Sequence, residues 1–341
     1  MSRTGSLRGY ILIRIALMVP MVWVLLTVVF LMLRVAPGDP VSATLGGRLS
    51  EAELDERRAS LGLDRPLLVQ YFEYLWDAVR FQFGTTITDG QTIGSILVEN
   101  GGATLTLTVA ALLIALLVGI PAGLLAGRFR DTASDVGIRL FGILTYAAPV
   151  FFTGILVQLL VAEYGGDWPT SSASSPITEF TVQSRTNILL VDAMLMGDWS
   201  AVLEVLQYLL LPALTLGLLI CGIFIRLTRV NVLQTLQGDY VEAARARGVK
   251  ESKVVRSHAF RNALVPVVTV IGLQVALLMS GAVLTEKTFN WPGIGSELID
   301  YIELRDYAAV QGIITVFALV VILISLLIDI INALIDPRVR Y

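Results

Sequence analysis

Six uninterrupted apolar runs constrain this chain more than any other feature: Ile15 to Leu33, Ala103 to Gly127, Leu140 to Ala162, Val205 to Ile225, Ala263 to Thr285, and Ala308 to Ile328 contain no Asp, Glu, Lys or Arg. Each holds roughly 19 to 25 residues, and at about 1.5 Å rise per residue a helix of that length crosses a hydrocarbon layer of about 30 Å. The runs are continuous rather than alternating, which fits helices and not barrel strands. With 55% hydrophobic and 16% charged residues, the chain has too little polar surface to coat a water-soluble globule of 341 residues. The fold class expected is therefore all-α, a polytopic membrane protein with six transmembrane helices.

Arg3, Arg8 and Arg14 precede the first run, as they would in a secretory signal. The run is long for a signal core, however, and it leads into Arg34-Val35-Ala36-Pro37-Gly38-Asp39 without a small-x-small cleavage site, so it reads as a retained first span. If the spans alternate, one side collects Arg3, Arg8, Arg14, Arg128, Arg130 and Arg139. That side also holds the loop residues Arg226, Arg229, Arg245, Arg247, Lys250, Lys253, Arg256 and Arg261, and then Arg338 and Arg340. The opposite loops are longer and hold fewer basic residues, so both termini are expected in the cytoplasm. The basic face suits contact with anionic lipid, and no basic run suggests a nucleic-acid partner.

Three regions follow: 1–34 with the first span, an extracytoplasmic segment 35–102, and a five-helix core 103–341 containing a cytoplasmic loop at 226–262. In the first outer segment, Ser50 and Glu53 form a capping-box pattern, and Gly62 and Pro66 mark breaks. In the second, Pro169 to Pro176 reads as a mobile Ser-rich loop. Asn187 to Trp199 reads as a short interfacial or partner-packed helix, because Asp192 and Asp198 interrupt it. Cys221 and His258 each stand alone, which leaves no intramolecular disulfide, no cysteine metal site and no histidine-dependent triad. No Gly-x-x-x-x-Gly-Lys-Ser/Thr phosphate loop occurs, so any ATP chemistry belongs to a partner.

The most informative loop stretch is Asp239-Tyr240-Val241-Glu242-Ala243-Ala244-Arg245-Ala246-Arg247-Gly248. Asp239 with Glu242 at the third helical position predicts a capped helix, the alanines favour it, and Gly248 predicts a left-handed stop. Read from these residues alone, it is equally a well-made surface helix. The wider pattern, with Glu242-Ala243-Ala244, three residues, Gly248, then a histidine (His258) and Asn262 ahead of Val265-Pro266, resembles the EAA signature of the membrane subunits of bacterial ATP-binding-cassette importers.

The likeness extends along the chain to the dipeptide/oligopeptide branch. It includes Ala36 to Pro40, Leu61 to Pro66 with Gln70-Tyr71, Thr104-Leu105, and Leu211 to Leu214. Further on it includes Glu286 with Phe289, Trp291 to Gly295, Arg305-Asp306-Tyr307, Gln311-Gly312, and Asp336 to Tyr341. Two features depart from it: Tyr208-Leu209 stands where relatives commonly have His-Leu, and the segment 163–204 is longer than in short members.

The resemblance implies a type I importer (MetI-like) transmembrane domain in the bacterial inner membrane. It would work with a second homologous permease subunit, two ATPase subunits that bind ATP and Mg, and an extracytoplasmic substrate-binding protein. This chain itself would bind no cofactor. Asp239, Tyr240, Glu242, Ala243, Ala244, Arg245, Arg247 and Gly248 would dock an ATPase, with the two alanines permitting close approach. The cargo implied is di- and oligopeptides, with nickel, glutathione or another solute as alternatives. Polar residues inside spans, Gln158, Thr215, Gln274, Ser280 and Thr315, are candidates for the translocation path or, equally, for helix packing. A secondary transporter would need an intramembrane charge or repeat and an enzyme would need a catalytic cluster, and neither signal is present.

Overall fold

A computed structural model of the chain describes residues 7–35, 39–45, 49–255 and 260–335. The readings placed on Ala36 to Gly38, His258 and Asp336 to Tyr341 lie outside these residues, as does the side chain of Ser280. The described residues are almost entirely helical. Helix α1 (Leu7–Val35) is followed by α2 (Pro40–Leu45), α3 (Glu51–Ser60) and α4 (Leu67–Val79). Then come α5 (Ile93–Arg128), α6 (Ala133–Ala147), α7 (Val150–Tyr164), α8 (Pro176–Thr181), α9 (Leu189–Met196) and α10 (Trp199–Leu236). The chain closes with α11 (Asp239–Ala246), α12 (Glu251–Lys253), α13 (Phe260–Phe289), α14 (Ile294–Glu303) and α15 (Tyr307–Ile335).

Helices α1, α5, α10 and α15 are each long and apolar enough to cross a membrane, and two bent pairs bring the number of spans to six. One bent unit is α13, which turns by 43° between Met279 and Ala282. The other corrects the sequence reading. The run from Leu140 to Ala162 is not one straight helix, because α6 and α7 meet at 104° around Ala148 and Pro149. The cause is local: Pro149 has no N–H to donate and its ring forces the preceding residue out of the helical region, so Ala148 is extended at φ −77° and ψ 132°.

Helix α10 is the central pillar, with 67% of its most apolar stretch buried against 17% for α1 and for α15. Its closest neighbour is α5, which turns a stripe of Gly119, Gly123 and Gly127 toward it. A Cβ on these glycines would lie 2.7 Å from Phe224, 2.6 Å from the Ile225 carbonyl oxygen and 2.8 Å from Val232. Small residues four apart let the two backbones touch, which is how helices associate where lipid removes the hydrophobic drive. Leu107, Ala111 and Ala115 of α5 and Leu216, Ile220 and Phe224 of α10 fill the space beside this crossing. At the periphery, α1 packs on α15, and Arg14 pairs with Asp329 at 3.1 Å.

The segments that follow α1 and α7 are tied down. The Glu53 carboxylate accepts from the N–H and hydroxyl of Ser50, as the capping box predicts, and Gly62 takes φ +67° to end α3. Arg58 donates to Asp39 at 2.9 Å. Partial burial pushes the Asp39 carboxyl up, but Arg58 and Ser42 outweigh it and hold the group at about 2. The Ser-rich stretch is anchored rather than mobile. Ser172 N–H donates to the Phe289 carbonyl at 2.8 Å, and Glu204 accepts from Ser175 N–H and the Thr178 hydroxyl, both at 2.7 Å. The two aspartates that break the apolar run after Asn187 are structural: Asp192 is buried and accepts from Thr186, while Asp198 caps α10 through Ser200 and Ala201.

Gly119→Val should test the α5–α10 contact, since its branches must displace Phe224 and Cys221. Overpacking of this kind costs about 1–3 kcal/mol, so the apparent Tm of the detergent-solubilised protein should fall. Gly137→Ala, where a Cβ meets nothing within 4 Å, should leave it unchanged.

Candidate functional site

Helix α11 begins one residue earlier than the capping pattern predicts. Gly238, at φ −78° and ψ 144°, is the N-cap, and Asp239 is the first helical residue, so neither Asp239 nor Glu242 acts as a side-chain cap. The predicted stop is present: Gly248 lies at φ +73°, and the N–H groups of Gly248 and Val249 donate back to Arg245 and Ala244. The helix has two faces. Val241 and Ala244 are fully buried with Val254, against Leu236 and Val249, forming a small core that belongs to this loop. Asp239, Glu242, Ala243 and Ala246 are exposed, spaced so that they share the opposite face.

That division separates two residues from the rest of the expected set. Ala244 is buried in the core of its own loop. Arg245 is a tie rather than a free cation, donating to both carboxylate oxygens of Glu251 at 3.0 and 2.7 Å. The hydrogen bonds from Arg245 hold the Glu251 carboxyl below its ordinary value, and Glu251 raises the guanidinium in turn. Arg247 donates to the Ala243 carbonyl and remains exposed, as does most of Tyr240. Ala246, absent from the expected docking set, completes the outward face, and helical spacing alone could have supplied it.

The loop continues directly from α10, and α10 is clamped near that end. Asp135, completely buried at the start of α6, accepts from Arg229 in bidentate fashion at 2.7 and 2.8 Å and from the Asp131 N–H at 3.0 Å. This pair was not read from the sequence. Its residues lie 94 positions apart, and Arg229 is one arginine among many on the basic side.

At the opposite end of the bundle, the segment Trp291 to Gly295 is locked onto α5. Trp291 Nε1–H donates to the Ala103 carbonyl, and Ile294 N–H donates to Thr104, both at 2.9 Å. Glu286 Oε2 accepts from the Gly295 and Ser296 N–H groups at 2.7 and 3.1 Å. Asp306 accepts from Ile87 and Thr88 while capping α15 at Ala309. A polar cavity of about 630 Å³ opens beside this lock, walled in part by Glu99, Asn100, Glu179, Asn290 and Glu297.

The pathway candidates are not brought together. Gln158 donates to the carbonyls of Thr170 and Thr288, Thr215 to the Leu211 carbonyl, and Thr315 shares a 2.7 Å hydrogen bond with Tyr74. Gln274 is buried with its Oε1 unpartnered among the described residues. Among the described residues no group of three or more His, Cys, Asp or Glu side chains could hold a metal.

A broken helical span, a central pillar and a short exposed helix on a connecting loop describe a multi-pass membrane protein. Residues 119–341 match the family described as "Binding-protein-dependent transport system inner membrane component", and residues 7–93 match the corresponding N-terminal family. Similar relatives include the "Di/tripeptide transport system permease protein DppB" of Pseudomonas aeruginosa, 36% identical with 98% of this chain and 99% of the relative covered. The "Dipeptide transport system permease protein DppB" of Escherichia coli K12 is 36% identical over 97% and 98%. The "Glutathione transport system permease protein GsiC" of an Escherichia coli O1:K1 strain is 33% identical over 98% and 99%. The chain belongs to this family: it is an inner-membrane permease subunit of an ATP-binding-cassette importer, and works as part of a multi-subunit transporter.

The Arg245–Glu251 tie gives the loop a pH dependence. Because folding lowers the Glu251 pKa, the stabilisation is fully present above its ordinary value of 4.5 and is lost as pH falls through and below it. The groups are 44% and 54% exposed, so the effect is about 0.2–1 kcal/mol. Limited proteolysis at 236–255 should speed up modestly as pH falls from about 6 toward 4. Glu251→Gln should show the faster rate at neutral pH and little further change.

Proposed function

We propose that the outward face of α11 is the docking surface for a separate ATPase subunit. The observation that carries this is the split of the helix into two faces. Val241 and Ala244 are spent on an internal core, which fixes the helix to the end of α10, while Ala243 and Ala246 form a flat small-residue face flanked by Asp239 and Glu242. A partner backbone can approach alanines closely, and the carboxylates can accept from its donors. Tyr240 and Arg247 border the face, Gly248 sets the elbow, and Arg245 positions the helix from beneath.

In this reading both termini and the 226–262 loop are cytoplasmic, and the segments 35–102 and 163–204 face outward, where an extracytoplasmic binding protein delivers cargo. A second homologous permease completes the path, and two ATPase subunits bind ATP and Mg. Closure of the ATPases moves α11, and α10 with it, so that the cavity between the permeases opens alternately to either side. Cargo is assigned as short peptides because relatives covering nearly the whole chain carry dipeptide and di/tripeptide names. The glutathione relative is consistent with a path that tolerates short peptide-like backbones. Of the five polar span residues, Gln274 is the strongest candidate for the path, since its Oε1 is not committed; the hydrogen bonds of Gln158, Thr215 and Thr315 suit packing.

Glu242→Arg with Ala243→Arg tests the docking face without touching the loop core. Co-purification should lose the ATPase subunits and uptake of labelled dipeptide should cease, while the second permease is still recovered. Equal recovery of ATPases with wild type and variant would sink the proposal.

A further inference from the structure

The groove between α6 and α10 is a site that the transport reading leaves unused. Gly142 and Gly222 meet at the crossing of the two helices, and beside that crossing a cleft of about 530 Å³ opens. Its chemistry is graded along its length. Gly142 against Gly222 and Asp135 bonded to Arg229 make the two helices antiparallel here, so of the lining residues Tyr146 and Ala147 lie toward one end, Ile143 and Ile223 between, and Arg139, Arg226, Arg229 and Val230 toward the other. Arg139 and Arg229 both reach Asp135, and Arg226 lies one helical turn before Arg229 on α10, so the cationic side chains of the groove belong to this end.

The charges at that end do not balance. Both oxygens of Asp135 are already held by Arg229, with Arg139 a distant third partner at 3.4 Å, and Asp131, which also acts on Arg229, is itself paired with Arg130. Arg226 is exposed and has no hydrogen bond or ion pair among the described residues. The groove therefore offers two guanidinium groups in excess, at the mouth of an apolar channel. A phosphodiester head with an acyl chain fits such a gradient, because guanidinium binds phosphate oxygens in bidentate fashion and the chain covers the exposed Ile143 and Tyr146.

We infer that this groove holds an anionic phospholipid of the inner leaflet as a bound structural ligand. It would cover the face of α10 just above the turn that leads to α11, and so brace the helix that carries the docking loop. The placement in the inner leaflet rests on the cytoplasmic orientation proposed above.

Native mass spectrometry of the complete transporter in mild detergent should find an anionic phospholipid retained. Arg139→Gln with Arg226→Gln should lower its occupancy by about fivefold per arginine removed, whereas the double Lys variant should keep most of it. A photoreactive residue at Ile143 in nanodiscs should label phosphatidylglycerol but not phosphatidylcholine, and excess inorganic phosphate should not prevent it. Cross-linking to the second permease instead, equal labelling of both lipids, or displacement by free phosphate would each overturn the inference. Thiol labelling of Asp131→Cys from either membrane side checks orientation separately. Labelling from outside with lipid retained refutes only the leaflet, and labelling from inside with no lipid refutes the groove.

Discussion

The backbone contact between α5 and α10 is the constraint on which the other elements depend. In hydrocarbon, apolar side chains gain little by leaving lipid for one another, so two helices stay together through close packing. The glycines at 119, 123 and 127 bring the α5 backbone against Cys221, Ile225 and Arg229 of α10, and Gly217 returns the favour against Ala111. Once α10 is fixed in this way, α6 can cross it at Gly142 and Gly222, and α13 and the lock at Trp291 find their places around it. The peripheral pair α1 and α15 makes fewer demands. Its surface faces lipid, and its Arg14–Asp329 pair lies near the chain ends of both helices.

What could be read in advance followed physical locality. Six apolar runs needed only the length of a helix against the thickness of a bilayer, and five of them lie inside single helices that extend past them by as many as eleven residues, because the polar ends of those helices continue beyond the apolar stretch. The sixth was misread as straight, although Pro149 was visible in it. Pro20, Pro121, Pro212 and Pro266 sit inside continuous helices here, so proline alone does not say which span will break. Gly62 and Gly248 were legible because a left-handed stop is a property of one residue and its neighbours. Asp192, Glu204, Asp306 and Asp135 were not legible as structural groups, because each acts on backbone or side chains that only the fold brings near.

The loop that carries α11 shows the same limit in finer detail. The resemblance pointed to a set of eight residues as though they formed one surface, and the helix divides them. Sequence spacing places Ala243 and Ala246 on one face and Val241 and Ala244 on the other, but which face turns inward depends on Leu236, Val249 and Val254. A signature can contain Glu-Ala-Ala for two physical reasons at once: one alanine keeps the internal core small, and the other keeps the external face flat.

Movement of α11 has a defined route into the bundle. The helix follows α10 after a two-residue turn at Gln237 and Gly238, and its core includes Leu236, the last residue of α10. Seven residues earlier, Arg229 grips a carboxylate with no exposure to solvent. Separating such a pair would strand a buried charge at a cost of about 3–5 kcal/mol, far more than a surface ion pair could resist. A displacement of α10 therefore carries the start of α6 with it rather than sliding past. Because α6 and α7 are joined at an angle of 104° by one extended residue and a proline, motion of α6 can change that angle without breaking a helical hydrogen bond. The proline that spoils the third span as a rod makes it suitable as a hinge, and the buried ion pair connects that hinge to the loop.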